Sequence, residues 1–139
     1  MANFVLIHGA WHGGCCYRDT AKALRAAGHN VFTPTHTGVG ERAHQSAENI
    51  TLETHIRDVC GVIEAEELSD VILCGHSYGG MVITGVADRL ADAWDPSPFR
   101  HYAKSVEGKT GWRVVKMPSS HDVMVDMPLE LAAELAKLA

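Results

Sequence analysis

The feature that most constrains the fold is a serine held between glycines, in the sequence G-H-S-Y-G-G from Gly75 to Gly80. It follows Val71 to Cys74, a short branched apolar run that is typical of a buried strand. It precedes Gly80 to Leu90, where apolar residues recur at helical spacing. A sharp strand-to-helix turn of this kind, a nucleophile elbow, exposes its serine at the carboxyl edge of a sheet. The pattern predicts that Ser77 is such a nucleophile.

Strands and helices alternate along the chain, which predicts an α/β fold with a parallel sheet and right-handed crossovers. The predicted elements are strands over Asn3–Ile7, Asn30–Thr33, Val71–Cys74 and Trp112–Met117, and helices over Asp19–Ala27, Thr51–Glu67, Gly80–Leu90, Phe99–Gly108 and from Pro128 onward. We predict a long loop over Pro34–Asn49, because that segment shows no periodicity. We also expect the last helix to pack through Leu131, Leu135 and Leu138. A chain of 139 residues fits one domain, spanning residues 1–139.

The charge and the apolar runs exclude several classes of partner. The net charge is −5 and the chain has no basic cluster, which argues against nucleic acids and anionic membranes. No apolar run approaches the roughly 20 residues that a membrane helix needs. The first residues, Met1 to Val5, lack the charged start of a signal peptide. We therefore expect no membrane partner and a cytoplasmic location.

Neither the four cysteines nor the nine histidines show a metal-binding spacing. The cysteines lack a C-x-x-C pair, and the neighbouring Cys15 and Cys16 are poorly placed for an ordinary disulfide, so we expect free, buried thiols. His8 and His12 are four residues apart, but they lie at the exit of a strand rather than on a helix. We expect no metal and no cofactor.

A glycine-rich loop, His8 to Gly14, follows the first predicted strand. On its own it indicates only a tight turn. Combined with the elbow, it is a candidate oxyanion hole, because acyl transfer to a serine requires backbone N–H donors aimed at the developing alkoxide. We assign these donors to Ala10 and Tyr78. Trp11, beside Ala10, is a candidate substrate-binding residue.

A histidine that follows the last predicted strand is the candidate base for Ser77. His121 lies in the loop after Met117, and the order serine then histidine places both at the carboxyl edge of a parallel sheet. A surface loop histidine is the alternative interpretation of His121. We expect the His76 side chain to point away from the nucleophile, as a structural residue, and also count it among the residues that border the substrate.

The chain resembles the α/β-hydrolase superfamily, and within it the branch of plant-type methylesterases, hydroxynitrile lyases and bacterial esterases. The resemblance rests on F-V-L-I-H-G-A-W-H-G-G, G-H-S-Y-G-G and S-S-H-D-V-M-V-D-M-P. It implies a serine ester hydrolase with a small-molecule ester substrate. The lyases carry a threonine after the first-loop histidine and a lysine after the catalytic histidine. Gly9 and Asp122 stand at those positions here, which favours the esterase.

One large departure from the family lies after the elbow helix. Relatives place two further strands and a helical cap between that helix and the segment that resembles Trp94 to Phe99, whereas this chain runs there almost directly from Leu90. We therefore expect a minimal three-layer sandwich without a cap, with four and at most five strands. Such a site is open to water and suits small or exposed esters.

The acid that would orient His121 is left open by the sequence. Asp95 is our first choice, because it precedes a Pro-Ser-Pro helix start at a suitable distance from His121. Asp92 is the second choice and Asp122 the third, since consecutive side chains generally point apart. The remaining possibility is a dyad of Ser77 and His121 without an acid.

A second class of function also remains open. The chain could be a catalytically weakened or non-catalytic member of the fold that acts by self-association or ligand binding, because the loss of strands uncovers sheet edges. The same uncovered edge, together with an apolar patch, predicts a homodimer.

Overall fold

Three parallel strands form the sheet within residues 1–93 and 117–139, the part of the chain that the computed structural model describes. Strand β1 (Asn3–Ile7) lies in the centre, between β2 (Asn30–Phe32) and β3 (Val71–Gly75). The register pairs Asn3 with both Asn30 and Val71, so the carboxyl ends of all three strands meet at one edge. The predicted helix over 99–108 and the predicted strand from Trp112 lie outside the described residues.

Helices cover both faces of this sheet, which confirms the predicted three-layer α/β fold. They are α1 (Arg18–Ala26), α2 (Leu52–Ala65), α3 (Tyr78–Ala93), α4 (Val123–Asp126) and α5 (Pro128–Ala136), with 3-10 helices at Gly14–Tyr17 and Gly40–Gln45. Thr51 caps α2 in an extended conformation, and its N–H donates to Thr54 Oγ1 at 3.1 Å. None of the helices in the described part of the chain is both long and apolar enough to cross a membrane.

The side chains of β1 alternate between two hydrophobic clusters, as a strand covered on both faces requires. Phe4 and Leu6 pack with residues of α1 and α5. Val5 and Ile7 pack on the opposite face with residues of α2 and α3. All four side chains are fully buried. The central strand thus joins the two layers of helices.

Three predictions of local detail are wrong. The predicted loop over Pro34–Asn49 contains the 3-10 helix Gly40–Gln45, which is too short to produce a periodic apolar pattern. Leu138 is 56% exposed, because α5 ends at Ala136 and the chain then leaves the core. The four cysteines are free as expected, but Cys15 is exposed, since it lies on the outer side of the first 3-10 helix.

Two glycines allow the elbow to pack against the sheet. A Cβ on Gly79 would lie 2.5 Å from the carbonyl oxygen of Ile7 and 2.8 Å from that of His8. A Cβ on Gly75 would lie 2.5 Å from the carbonyl oxygen of Gly79. These contacts are with backbone atoms, which cannot rotate away. The start of α3 therefore sits directly on the end of β1, as the sequence pattern predicts.

Stacked histidines fill the space between the loops that follow β1 and β2. The His36 ring lies 4.3 Å from that of His8 and 4.6 Å from that of His55, measured between ring centroids. The His36 N–H donates to His8 Nε2 at 3.1 Å. Burial lowers the pKa of His8, and it lowers the pKa of His36 to about 3. Both rings are therefore neutral at pH 7 and pack as aromatic side chains.

Alanine substitutions at Gly79 and Gly80 form a matched test of the elbow packing. The Gly79→Ala variant should lose about 1–3 kcal/mol of unfolding free energy, because its methyl group meets backbone carbonyls. Gly80→Ala should keep the free energy of unfolding or raise it by about 0.5–1 kcal/mol, since no atom lies within 4 Å of its Cβ position and alanine favours a helix. Urea denaturation measures both. Equal stability of the two variants would contradict this packing.

Candidate active site

Ser77 lies between β3 and α3 with a backbone that nonglycine residues seldom adopt. Its φ is +51°, in the left-handed region, and its side chain is exposed. Such a conformation costs on the order of 1 kcal/mol and persists only where the surroundings impose it. Here His76 N–H donates to the Ile7 carbonyl at 2.9 Å, and Gly80 N–H donates to the Ser77 carbonyl at 2.9 Å. The turn presents the Ser77 hydroxyl at the carboxyl edge of the sheet.

The backbone donors predicted for an oxyanion hole lie on both sides of Ser77. Tyr78 is the first residue of α3, so its N–H has no partner within the helix. Ala10 follows Gly9, and a Cβ on Gly9 would lie 3.4 Å from the Ser77 Cβ, so this loop packs against the elbow. Within residues 1–93 and 117–139, no backbone partner accepts a hydrogen bond from either N–H. Both donors remain available to an oxyanion.

The Tyr78 side chain is fixed by a chain of hydrogen bonds to the loop after β2. His55 Nε2 lies 3.0 Å from the Thr37 carbonyl oxygen, which can only accept, so Nε2 carries the proton. His55 Nδ1 then accepts from the Tyr78 hydroxyl at 2.8 Å. Asp58 completes the chain, because it accepts from both the N–H and the hydroxyl of Thr37 at 2.7 and 2.8 Å. The residue after the nucleophile is thereby tied to α2.

The glycine-rich loop is tied to the loop after β2 in a similar way. Gly14 N–H donates to Thr35 Oγ1 at 2.7 Å, and the Thr35 hydroxyl donates to Glu41 Oε1 at 2.6 Å. This hydrogen bond lowers the pKa of the Glu41 carboxyl. Gly13 is also close, since a Cβ there would lie 2.9 Å from Glu41 Oε2. The loop that carries Ala10 is thus anchored at its far end.

His121 reaches the same edge of the sheet from the loop before α4. Its side chain is exposed, and its ring centroid lies 4.5 Å from that of His76, the residue before the nucleophile. Within the described residues, Ser77 Oγ makes no hydrogen bond to the His121 imidazole. Such nucleophile–base bonds often tighten only when substrate binds. His121 thus packs against His76, the neighbour of Ser77 in the chain.

The candidate acids differ in where they lie. Asp95, our first choice, lies outside the described residues, and Asp92 lies in the last turn of α3. Asp122 approaches His76 rather than the base, with 3.7 Å between Asp122 Oδ1 and His76 Nε2. In the part of the chain that the structure describes, no carboxylate forms an ion pair or hydrogen bond with the His121 imidazole. The acid of the triad stays a prediction.

The His76 side chain, which we expected to point away from the nucleophile, contacts the glycine-rich loop and the loop of the predicted base. His76 leaves β3 before the turn, so its side chain extends over the loop that follows the neighbouring strand, where a Cβ on Gly9 would lie 2.7 Å from His76 Nδ1. Its Nε2 lies 2.7 Å from the carbonyl oxygen of His121. The contact with His121 accounts for this orientation of the side chain. His121 is 45 positions away in the chain, so the residues around His76 do not predict the contact.

Two further side chains border the site. Trp11, a predicted substrate-binding residue, is 91% exposed with φ at +64°, so the turn after Ala10 presents its ring to solvent. His12, which we considered only as a metal ligand, stacks on His76 with 6.3 Å between ring centroids. The position of His12 in the glycine-rich loop, beside the elbow, is the sequence signal that would have identified it as a site residue.

Among the described residues, no group of three or more histidines, cysteines and carboxylates is arranged to hold a metal.

Comparison with known proteins identifies the family. Residues 4–103 match the model described as "Alpha/beta hydrolase family". A carbendazim hydrolyzing esterase from Nocardioides sp. (strain SG-4G) is 45% identical over 241 aligned positions, which include 99% of this chain and 100% of that protein. Since this chain has 139 residues, much of that protein has no counterpart here. This agrees with the predicted loss of strands and cap.

Other relatives match over a smaller part of their length. The probable esterase PIR7A from Oryza sativa subsp. indica is 31% identical over 77% of this chain and 41% of its own. A solved structure of an extracellular alpha/beta-hydrolase from a Paenibacillus species has a TM-score of 0.60 and 39% identity, over 66% of this chain and 37% of its own. The chain thus spans well under half of these two proteins.

The named relatives are hydrolases, and two of the three are named as esterases. The predicted resemblance, with its plant-type and bacterial esterases, is confirmed by these matches. Together with the elbow at Ser77, they establish that the chain belongs to the α/β-hydrolase family, in the branch of its esterases.

Proposed function

We propose that the chain is a serine esterase that cleaves small or exposed esters through an acyl-enzyme on Ser77. The observation that carries this proposal is the exposed serine at φ +51° between β3 and α3, with His121 at the same edge. The esterases among the relatives support the reaction class. Two unpaired backbone donors beside the serine support acyl transfer in particular.

The reaction follows from these positions in two steps. His121 takes the proton of Ser77, and Oγ attacks the carbonyl carbon of the ester while Ala10 and Tyr78 N–H stabilise the oxyanion. His121 then protonates the departing alcohol, which leaves an acyl group on Ser77. In the second step His121 deprotonates a water molecule, which attacks the acyl carbonyl. The bond from the acyl carbon to Ser77 Oγ then breaks, His121 returns the proton to Oγ, and the acid is released.

The proposed substrate is a small ester that meets the exposed surface beside the elbow. Trp11 offers an aromatic face there, and the His76 ring lies between the base and the glycine-rich loop. One relative is named for carbendazim, which supports a small-molecule substrate rather than a polymer. The cytoplasmic location remains a prediction from the sequence.

A weakened hydrolase is the second candidate, and one observation favours it. Among the carboxylates whose side chains the structure describes, none forms an ion pair or hydrogen bond with the His121 imidazole, and Asp122 lies near His76 instead. Without an acid, the imidazolium that forms during attack lacks a compensating charge. A protein of this kind would bind ligands at the same edge or associate with itself, and turn over esters slowly.

Replacing the nucleophile tests the proposed reaction. Ser77→Ala should remove nearly all hydrolysis of a short-chain aryl ester, a loss of about 10⁴-fold or more, and should abolish labelling by an organophosphonate. Ser69→Ala is the matched control, because Ser69 is exposed at the opposite end of β3. It should react as the wild type does. Wild-type turnover by Ser77→Ala would refute the nucleophile.

Asparagine substitutions test for the missing acid. If Asp95 orients His121, Asp95→Asn should lower kcat by up to about 10⁴-fold, because the base then loses its tautomer and its compensating charge. Asp92→Asn tests the second choice, and Asp122→Asn serves as the comparison. If kcat falls by less than about tenfold in both the Asp95 and the Asp92 variant, the triad hypothesis is refuted and a dyad of Ser77 and His121 remains.

We further propose that the protein forms a homodimer. The support is that β2 and β3 have no outer neighbour among the described strands, and that Val125 and Leu129 are 58% and 64% exposed. Light scattering at micromolar concentration should give twice the 15.1 kDa mass of the chain. A monomeric mass across that range would contradict the dimer.

A further inference from the structure

The loop that carries the base is joined to the elbow by a single side chain. His76 Nε2 lies 2.7 Å from the carbonyl oxygen of His121, and the two rings are 4.5 Å apart at an angle of 58°. Across residues 71–80 and 117–126, this is the hydrogen bond that links the two segments. The His121 imidazole itself has no hydrogen bond within the described residues. The position of the base therefore depends on its backbone.

The contacts of His76 determine which nitrogen carries its proton. A carbonyl oxygen can only accept, so Nε2 is protonated and donates to His121. His76 Nδ1 is buried without a hydrogen-bond partner and faces Gly9, in the glycine-rich loop. The side chain is only 11% exposed. His76 is thus held between the loop of the oxyanion donors and the loop of the base.

The rest of the base loop is fixed from its other side. Ser120 N–H donates to Asp126 Oδ2 at 2.8 Å, and the Ser120 hydroxyl donates to the same carboxylate. Val125 N–H donates to the Asp122 carbonyl at 2.8 Å. These bonds shape the loop but do not connect it to Ser77. Only the contact with His76 relates the loop to the nucleophile.

We propose that His76 is a positioning residue, which holds His121 over Ser77 through the hydrogen bond from Nε2–H to the His121 carbonyl. This inference rests on the proposed function, in which His121 is the base. An acid would orient the imidazole of the base, whereas His76 places the backbone that carries it. Displacing a reacting group by about 1 Å can cost about a hundredfold in rate. Placement of the loop therefore has a direct effect on kcat.

A pair of amide substitutions tests the hydrogen bond. The amide nitrogen of Gln can occupy the position of Nε2, whereas Asn is one methylene shorter and does not reach the His121 carbonyl. His76→Asn should lower kcat for a short-chain aryl ester by about 10- to 100-fold, with KM changed less than about threefold. His76→Gln should keep kcat within about threefold of the wild type.

The control is His29→Asn, at the other end of the sheet. His29 is half-buried and its Nδ1 accepts one hydrogen bond, from Ala2 N–H at 3.3 Å, so the substitution makes the same change of side chain away from the site. It should leave kcat unchanged. Circular dichroism establishes that each variant is folded. If His76→Asn does not fold, the kcat of His76→Gln tests the proposal instead. A tenfold loss of kcat in His76→Gln would overturn the proposal.

A second readout does not depend on ester turnover. Amide hydrogen exchange of residues 117–126 should be faster in His76→Asn than in the wild type, because the loop is released, and unchanged in His76→Gln and His29→Asn. Equal exchange in His76→Asn and the wild type, or equal losses of kcat in the two His76 variants, would overturn the positioning role. If the wild type hydrolyses no ester but the exchange differs as stated, the proposed function fails and the role of His76 in holding the loop stands.

Discussion

The close contact between the end of β1 and the start of α3 is the constraint on which the site depends. Gly79 lies against the carbonyl oxygens of Ile7 and His8, and no side chain fits between them. This contact fixes the distance between the glycine-rich loop and the elbow. It also fixes the turn that holds Ser77 at positive φ. A serine, two free N–H groups and a turn are thereby set in place by backbone packing alone.

The parallel pairing of β1 with β3 extends this constraint to the surrounding loops. Because Ile7 pairs with Gly75, the segments that follow the two strands leave the sheet side by side. The rings of His8, His36 and His55 then pack against one another between the loops, and hydrogen bonds join Tyr78 to His55 and Thr35 to Glu41. The loops are thus ordered by short contacts to one another.

The sequence predicts the parts of this structure that depend on local sterics. The glycines around Ser77 indicated the turn, because a side chain on Gly75 or Gly79 would meet backbone atoms, and the short apolar run Asn3–Ile7 indicated a strand. The orientation of His76 was not predictable in this way. It depends on the carbonyl of His121, and the chain between them is too long for any local pattern to report the contact. For the same reason, the sequence could rank the candidates for the acid, Asp95 before Asp92 and Asp122, but could not choose between them and a dyad.

In the mechanism that we propose, His121 and His76 together cover only part of what the base and the acid of a triad do. An acid restrains the base and also stabilises the imidazolium that forms during attack. His76 can restrain His121 through the backbone, but an imidazole adds no negative charge near the ring of the base. Asp122 brings a carboxylate to within 3.7 Å of His76 Nε2, so its charge acts on His76 before it acts on the base. Within the described residues, hydrogen bonds position the loop of the proposed base, but no carboxylate contact with the His121 imidazole is present. If Ser77 and His121 react as we propose, the rate of turnover therefore depends on whether Asp95 or Asp92 compensates the charge of the imidazolium.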